Sequence, residues 1–304
     1  MRSTARVRAA RLAWLAMSEH LTLGPAPRPA TGVDLVARMR AASLADAGER
    51  LRPAIEGIFD GMRADVDGAD VTIDVDATGV TIDGLLGEES AASELLPTRA
   101  GAVRVVEHGD LRSLTVRAHP VHVEGVPVDL GLTLEGARLA WVEVPADGTV
   151  GLDTVAPDDA HPMRGHLRVE APLAETVEAV RRAAETSLAE LGVTIADLDV
   201  RLRSEGPREV AAEVDARVRK GFLGAPASAS ATLRIDDALR LHVEDLRITS
   251  SNVIVAGLLA TVRGKVEART KEPIDLAGQL PAGVRVTDVR LEAGDRIGLE
   301  ARIG

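Results

Sequence analysis

The chain has 304 residues, a hydrophobic fraction of 45%, a charged fraction of 27% and a net charge of −11. That composition excludes bulk disorder and suits one elongated domain or two smaller ones. The interspersed acidic residues argue against a nucleic-acid partner, which needs a basic face, and the absence of cysteine removes disulfides, thiol nucleophiles and thiolate metal sites.

Aromatic residues are scarce: Trp14, Trp141, Phe59 and Phe222, with no tyrosine. A core of Val, Leu, Ile and Ala serves either plain packing or a cavity for alkyl chains. Arginine far outnumbers lysine, which occurs only at Lys220, Lys265 and Lys271. A GC-rich genome is therefore a second source of the bias.

Residues 1–32 read as a tail and linker. Arg2, Arg6, Arg8 and Arg11 form a basic start, either solvated or loosely attracted to anionic lipid as a peripheral membrane contact. Ala5–Leu21 allows a short helix, and GPAPRPATG reads as the linker proper. The apolar stretch Leu12–Met17 is closed by Glu19 and His20, short of the roughly 7–15 residues of a secretory signal. The longest apolar run, Val253–Val262, is half of the roughly 20 residues of a membrane span. The expected location is cytoplasmic or peripheral to the membrane.

The first half spans 33–160. A helix is predicted from Leu35 to Met62, broken at Gly48 or before Pro53, with Leu51, Ile55, Ile58, Phe59 and Met62 on one stripe. Alternation follows: Val71, Ile73 and Val75 share one strand face, and Thr72, Asp74 and Asp76 the other. Further strands are predicted at Val103–Val106, Leu114–Ala118, Val126–Leu134 and Leu139–Val144, the last two joined by a hairpin at Glu135–Gly136.

The second half spans 161–304 and starts the pattern again. Pro172 opens a helix to Leu191 with Leu173, Val177, Val180, Ala184, Leu188 and Leu191 on one face, and Gly192 stops it. Strands follow at Leu198–Leu202, Val210–Val218, Ala227–Ile235, Leu239–Val243 and Leu246–Ile248, with a turn at Asp236–Asp237. Gly125-Val-Pro127 through Leu134 resembles Gly224-Ala-Pro226 through Leu233, which reads as an internal repeat. Val253–Val262, apolar nearly all round, is either a buried helix or one that dips into a lipid surface. A hairpin of Val284–Leu291 and Ile297–Ile303 closes the chain.

Motifs for chemistry are weak. His119 and His122 flank Pro120, and on a strand they face opposite sides, so no metal site is expected. Asp74 and Asp76 share a face opposite apolar residues and read as the solvated side of a sheet. There is no Gly-x-Ser-x-Gly elbow, Walker loop or dinucleotide fingerprint. The expectation is a protein with no catalytic residues and no cofactor.

The segment Leu280-Pro-Ala-Gly-Val-Arg-Val-Thr-Asp-Val-Arg-Leu-Glu-Ala-Gly-Asp-Arg-Ile-Gly-Leu-Glu-Ala-Arg-Ile303 resembles the closing hairpin of the LmeA-like phospholipid-binding family of actinobacteria and cyanobacteria. The likeness covers about 165–304; residues 33–160 match in style only. It implies the tubular lipid-binding fold, a long curved antiparallel sheet wrapped on helices; joined to the two related helix-plus-meander halves read along the chain, the expected class is α+β. The expected partner is then lipid, a phospholipid or other alkyl ligand held in an aliphatic groove. Its lining is expected from Leu51, Ile55, Ile58, Phe59, Val177, Val180, Leu188, Leu191, Val214, Leu233, Leu241, Leu258 and Leu259. Each buried CH₂ would contribute about 0.8 kcal/mol. The alternative is a non-catalytic structural or protein-interaction module with a closed core, its protein partner unspecified.

Overall fold

Alternation of apolar and polar residues governs more of this chain than helical periodicity does. The computed structural model describes residues 18–83, 98–188, 193–220, 223–250, 273–277 and 284–304. It is mainly strand, 64% against 16% helix. Two units divide the chain: Met1–His119 with Leu132–Gly165, and Pro120–Gly131 with His166–Gly304.

The first unit holds β1 (Ser18–Pro25), α1 (Gly32–Asp46), α2 (Arg52–Asp60), β2 (Met62–Asp67), β3 (Asp70–Asp76), β4 (Thr81–Ile82), β5 (Thr98–Gly101) and β8 (Thr149–Val155). It also takes most of β6 (Arg104–Val123) and the later part of β7 (Val126–Val144). Thr31 starts α1 by accepting the Asp34 N–H on its hydroxyl at 3.2 Å, satisfying a donor that the helix leaves unpaired. Pro53 lies in the first turn of α2, where its missing N–H costs nothing.

The core of this unit gathers Leu23, Leu35, Met39, Leu51, Ile55, Phe59, Val71, Leu139, Trp141 and Val150. Leu23 belongs to β1, so residues 18–25 are a core strand and neither helix nor linker. β1 pairs with β5 (His20 opposite Arg99) and with β8 (His20 opposite Asp153). Leu21 and Leu23 sit two apart, a strand period that overrides the helical reading of this stretch.

β2 and β3 form an antiparallel hairpin, but β3 runs parallel to β6, from Val71 beside Leu111 to Asp76 beside Arg117. The first half is therefore not a meander. Trp141 is 1% exposed and its indole N–H donates to the Ala69 carbonyl at 2.8 Å. Gly109 of β6 approaches that same oxygen so closely that a Cβ would stand 2.1 Å from it.

The β6–β7 turn is Glu124–Gly125, with φ of +51° and +78°. Two positive φ values match the twist of a two-residue hairpin turn. The expected hairpin at Glu135–Gly136 does not form: β7 runs straight through it, with Gly136 at φ +72° as a local irregularity.

The second unit holds most of β9 (Arg164–Pro172), α3 (Leu173–Leu188), β10 (Val193–Gly206), β11 (Glu209–Lys220), β12 (Leu223–Ile235), β13 (Arg240–Ser250), β14 (Ile274–Asp275), β15 (Val286–Ala293) and β16 (Arg296–Ile303). β10 to β14 form a five-stranded sheet in chain order, each neighbour antiparallel. β15 and β16 pair as a hairpin. The β12–β13 turn is built on Asp236, whose carboxylate accepts the Ala238 and Arg240 N–H groups at 2.9 Å and meets His242 Nε2 at 2.8 Å.

Several expectations are corrected here. The strands form two open sheets, of eleven and five strands, that are neither closed nor curled around helices. Among the described residues there are three short helices, too few to be wrapped by a long curved sheet. The first unit contains a parallel pair and the five-stranded sheet none, so the two halves are not copies of one helix-plus-meander plan. The repeat fails at its hairpin. β12 ends at Ile235, whereas β7 continues ten residues beyond Leu134. The apolar segment Val253–Val262 lies outside the described residues. No described helix is long and apolar enough to cross a membrane.

Replacing Gly109 by Ala drives a methyl group into the Ala69 carbonyl and breaks the Trp141 hydrogen bond. The expected loss is about 1–3 kcal/mol, read as a lower urea midpoint at unchanged slope. Gly131→Ala, where a Cβ meets nothing within 4 Å, is the control and stays within about 0.5 kcal/mol of the parent.

Candidate functional site

The described residues expected to line one aliphatic groove fall in two units. Leu51, Ile55 and Phe59 are consumed by the core of the first unit, and Ile58 is half-buried beside them. In the second unit Val214, Leu233 and Leu241 are half-buried on the five-stranded sheet, Val180 is 55% exposed, and Val177 faces a cleft. The Leu188 side chain, Leu191, Leu258 and Leu259 lie outside the described residues. Open sheets enclose no alkyl channel, and they equally fail the alternative of a closed-core module. Both functional expectations are overturned by the same feature.

Two clefts merit a chemical reading. The first, of about 580 Å³, lies in the first unit among Asp60, Gly61, Arg63, Asp74, Asp76, Thr78 and Arg117. Strand register sets Arg63 opposite Asp74 and Arg117 beside Asp76. Asp76 accepts the Thr78 N–H and the Arg117 Nε–H, each at 3.1 Å. The Thr78 hydroxyl and N–H, and then Arg117, hold its carboxyl below the usual carboxylate range. Asp60 is paired with Arg40 at 2.8 Å. An acid–base pair needs two carboxyls whose environments push them apart; here arginines sit beside them on an open face. Among the described residues no group of three His, Asp or Glu side chains is placed to hold a metal.

The second cleft, of about 820 Å³, lies in the second unit between α3 and β10. α3 supplies Leu173, Ala174, Val177, Glu178 and Arg181; β10 supplies Ala196, Asp197, Leu198, Asp199 and Val200; Asp295 completes the rim. The five β10 residues are consecutive. Because side chains alternate between the faces of a strand, a cleft that touches five in a row runs along the edge of the strand and not over one face. β10 is the terminal strand of its sheet. Among the described residues, no backbone hydrogen bond reaches β10 between Val193 and Arg203 other than its ladder with β11. The β10–β11 ladder shifts register between Ile195 and Asp197, a bulge of the kind common at sheet edges.

Charge at this cleft is mainly acidic. Arg181 is engaged along its own helix, by Glu178 at 2.6 Å and Glu185 at 2.7 Å. Asp199 pairs with Arg201 at 2.5 Å, and no ion pair holds Asp197 or Asp295 among the described residues. The Asp295 carbonyl accepts the Leu173 N–H at 2.9 Å and so fixes the start of α3.

Among the described residues expected to line a groove, only Val177 lies in this cleft. The sequence predicts a strand at Leu198–Leu202, but an edge strand and an inner strand of an antiparallel sheet alternate alike.

Comparison with family models, with curated proteins and with solved structures finds no match. The resemblance of the C-terminal hairpin to the LmeA-like family is therefore corrected: no comparison supports it, and the strand-rich open sheets differ from the expected tube.

Arg181 lowers the Glu178 carboxyl below its usual value near 4.5. A carboxyl depressed by folding contributes stability above its unfolded pKa, and that contribution is lost as pH falls through the folded value. α3 is therefore expected to weaken on acidification through and below the ordinary glutamate range. Arg181→Met should raise the Glu178 midpoint, measured by carboxyl NMR titration.

Proposed function

We propose that this protein is a non-catalytic binding protein that takes up an extended polypeptide segment along the outer edge of β10. The observation that carries this reading is the run of five consecutive edge residues facing an open cleft. An edge strand presents a row of N–H and C=O groups, and an added strand satisfies them while alternate side chains settle on the two faces. Here Val177, Leu198 and Val200 offer apolar contact on one side, and Asp197 and Asp199 offer charge on the other. Four carboxylates and one arginine around the cleft select against nucleic acid and favour a strand that carries basic side chains. The arginines beside the carboxylates of the polar cleft support the absence of catalysis. A location off the membrane interior, cytoplasmic or peripheral, belongs to the same reading.

The test uses short labelled peptides of alternating Arg and Val, with alternating Glu and Val as the charge control. Fluorescence anisotropy should show binding of the basic peptide. Hydrogen exchange should show slowed amides within 195–203, and both effects should vanish in Val200→Lys. Failure of both peptides to bind, with β10 amides unchanged, would overturn the reading.

A further inference from the structure

We infer that the strand taken up at this edge is β10 of a second copy of the chain, paired antiparallel about Val200; this rests on the edge-binding reading above. The segment runs Asp197-Leu198-Asp199-Val200-Arg201-Leu202-Arg203. Acids occupy the first half, arginines the second, and an apolar residue stands at every other position. Burial follows the same alternation: Asp197, Asp199, Arg201 and Arg203 are exposed, and Leu198, Val200 and Leu202 half-buried.

A two-fold axis at Val200 places each residue opposite the one whose number brings the sum to 400. Asp199 then meets Arg201 of the second copy, Asp197 meets its Arg203, Leu198 its Leu202, and Val200 itself. Every charged position faces its opposite and every apolar position an apolar one. A slip by two residues puts Arg201 against Arg201, or Asp199 against Asp199, on the axis. In-register parallel pairing sets like charges together throughout. The pattern therefore specifies partner, direction and register together.

The inner side of β10 supplies an independent reason. There Asp199 lies opposite Asp215 of β11, a like-charge pair. Arg201 is within 2.5 Å of Asp199 and 3.9 Å of Asp215 and offsets part of that repulsion. Arg201 of a second copy would bring Asp199 a cation from its open side. Charged side chains on an edge strand ordinarily discourage pairing, because a partner strand rarely matches them. This edge carries both signs in a self-matching order.

The experiment is sedimentation velocity over a wide protein concentration range, with two charge variants. Asp197→Arg with Asp199→Arg makes the edge wholly basic; Arg201→Asp with Arg203→Asp makes it wholly acidic. The parent should show a concentration-dependent dimer that salt weakens. Each variant alone should raise the dimer dissociation constant at least about tenfold, and an equimolar mixture of the two should restore dimers. Because a misfolded variant cannot be rescued by mixing, that restoration separates lost pairing from lost folding. A parent that stays monomeric at all concentrations but binds the alternating basic peptide refutes the second copy and leaves the edge-binding reading intact. A parent that stays monomeric and binds no peptide refutes both. Variants that dimerise alone as well as the parent also overturn the inference.

Discussion

A buried indole N–H left without an acceptor costs roughly 1–3 kcal/mol, and Trp141 meets that demand with one backbone oxygen, that of Ala69. The acceptor sits in the turn between β2 and β3, so the hairpin must be held against β7. β6 lies beside the same turn, and only a glycine at 109 lets its backbone come that close. One hydrogen bond thus places three chain segments that are remote in sequence. The Arg28 guanidinium covers the ring from outside, 5.0 Å from its centre. The helices add Leu35, Ile55 and Phe59 to the same core cluster as the ring.

The second unit is organised differently. Its five-stranded sheet is a meander, whose local pairings need no distant partner to define register. A meander ends in edges, and the treatment of the first edge decides what this unit can do. α3 flanks β10 without supplying any ladder hydrogen bond, and its charges are turned to one another through Arg181. The strand beside it keeps its outer N–H and C=O groups without a backbone partner among the described residues.

Local periodicity was legible in the sequence, and non-local pairing was not. The break between α1 and α2 falls at Gly48–Leu51, where the glycine and Pro53 announce it, and α3 starts directly after Pro172. The closing strands fall near the alternation that marks them. Of the two Glu-Gly dipeptides at 124–125 and 135–136, only the first turns the chain. Composition cannot separate them, because the choice depends on whether the following residues have a strand to continue along. The parallel contact of β3 with β6 and the insertion of β1 between β5 and β8 have no local signature at all. The candidate site suffered most. An apolar stripe does not announce what it packs against: Leu51, Ile55 and Phe59 fill the core of the first unit, and Val180 is exposed. What β10 displays as alternation became informative only once its place at the end of a sheet was known.

The position of β1 has a consequence for synthesis on the ribosome. His20 pairs with Asp153, 133 residues later (153 minus 20). At about 5–20 residues per second, that partner emerges roughly 7–27 seconds after β1 does. During that interval Leu21 and Leu23 have no β8 to lie against, and β5 alone, paired only from Ser18 to Leu21, can hold the strand. The first unit is thus completed only when its last strand emerges, and until then the apolar face of β1 waits for its partner.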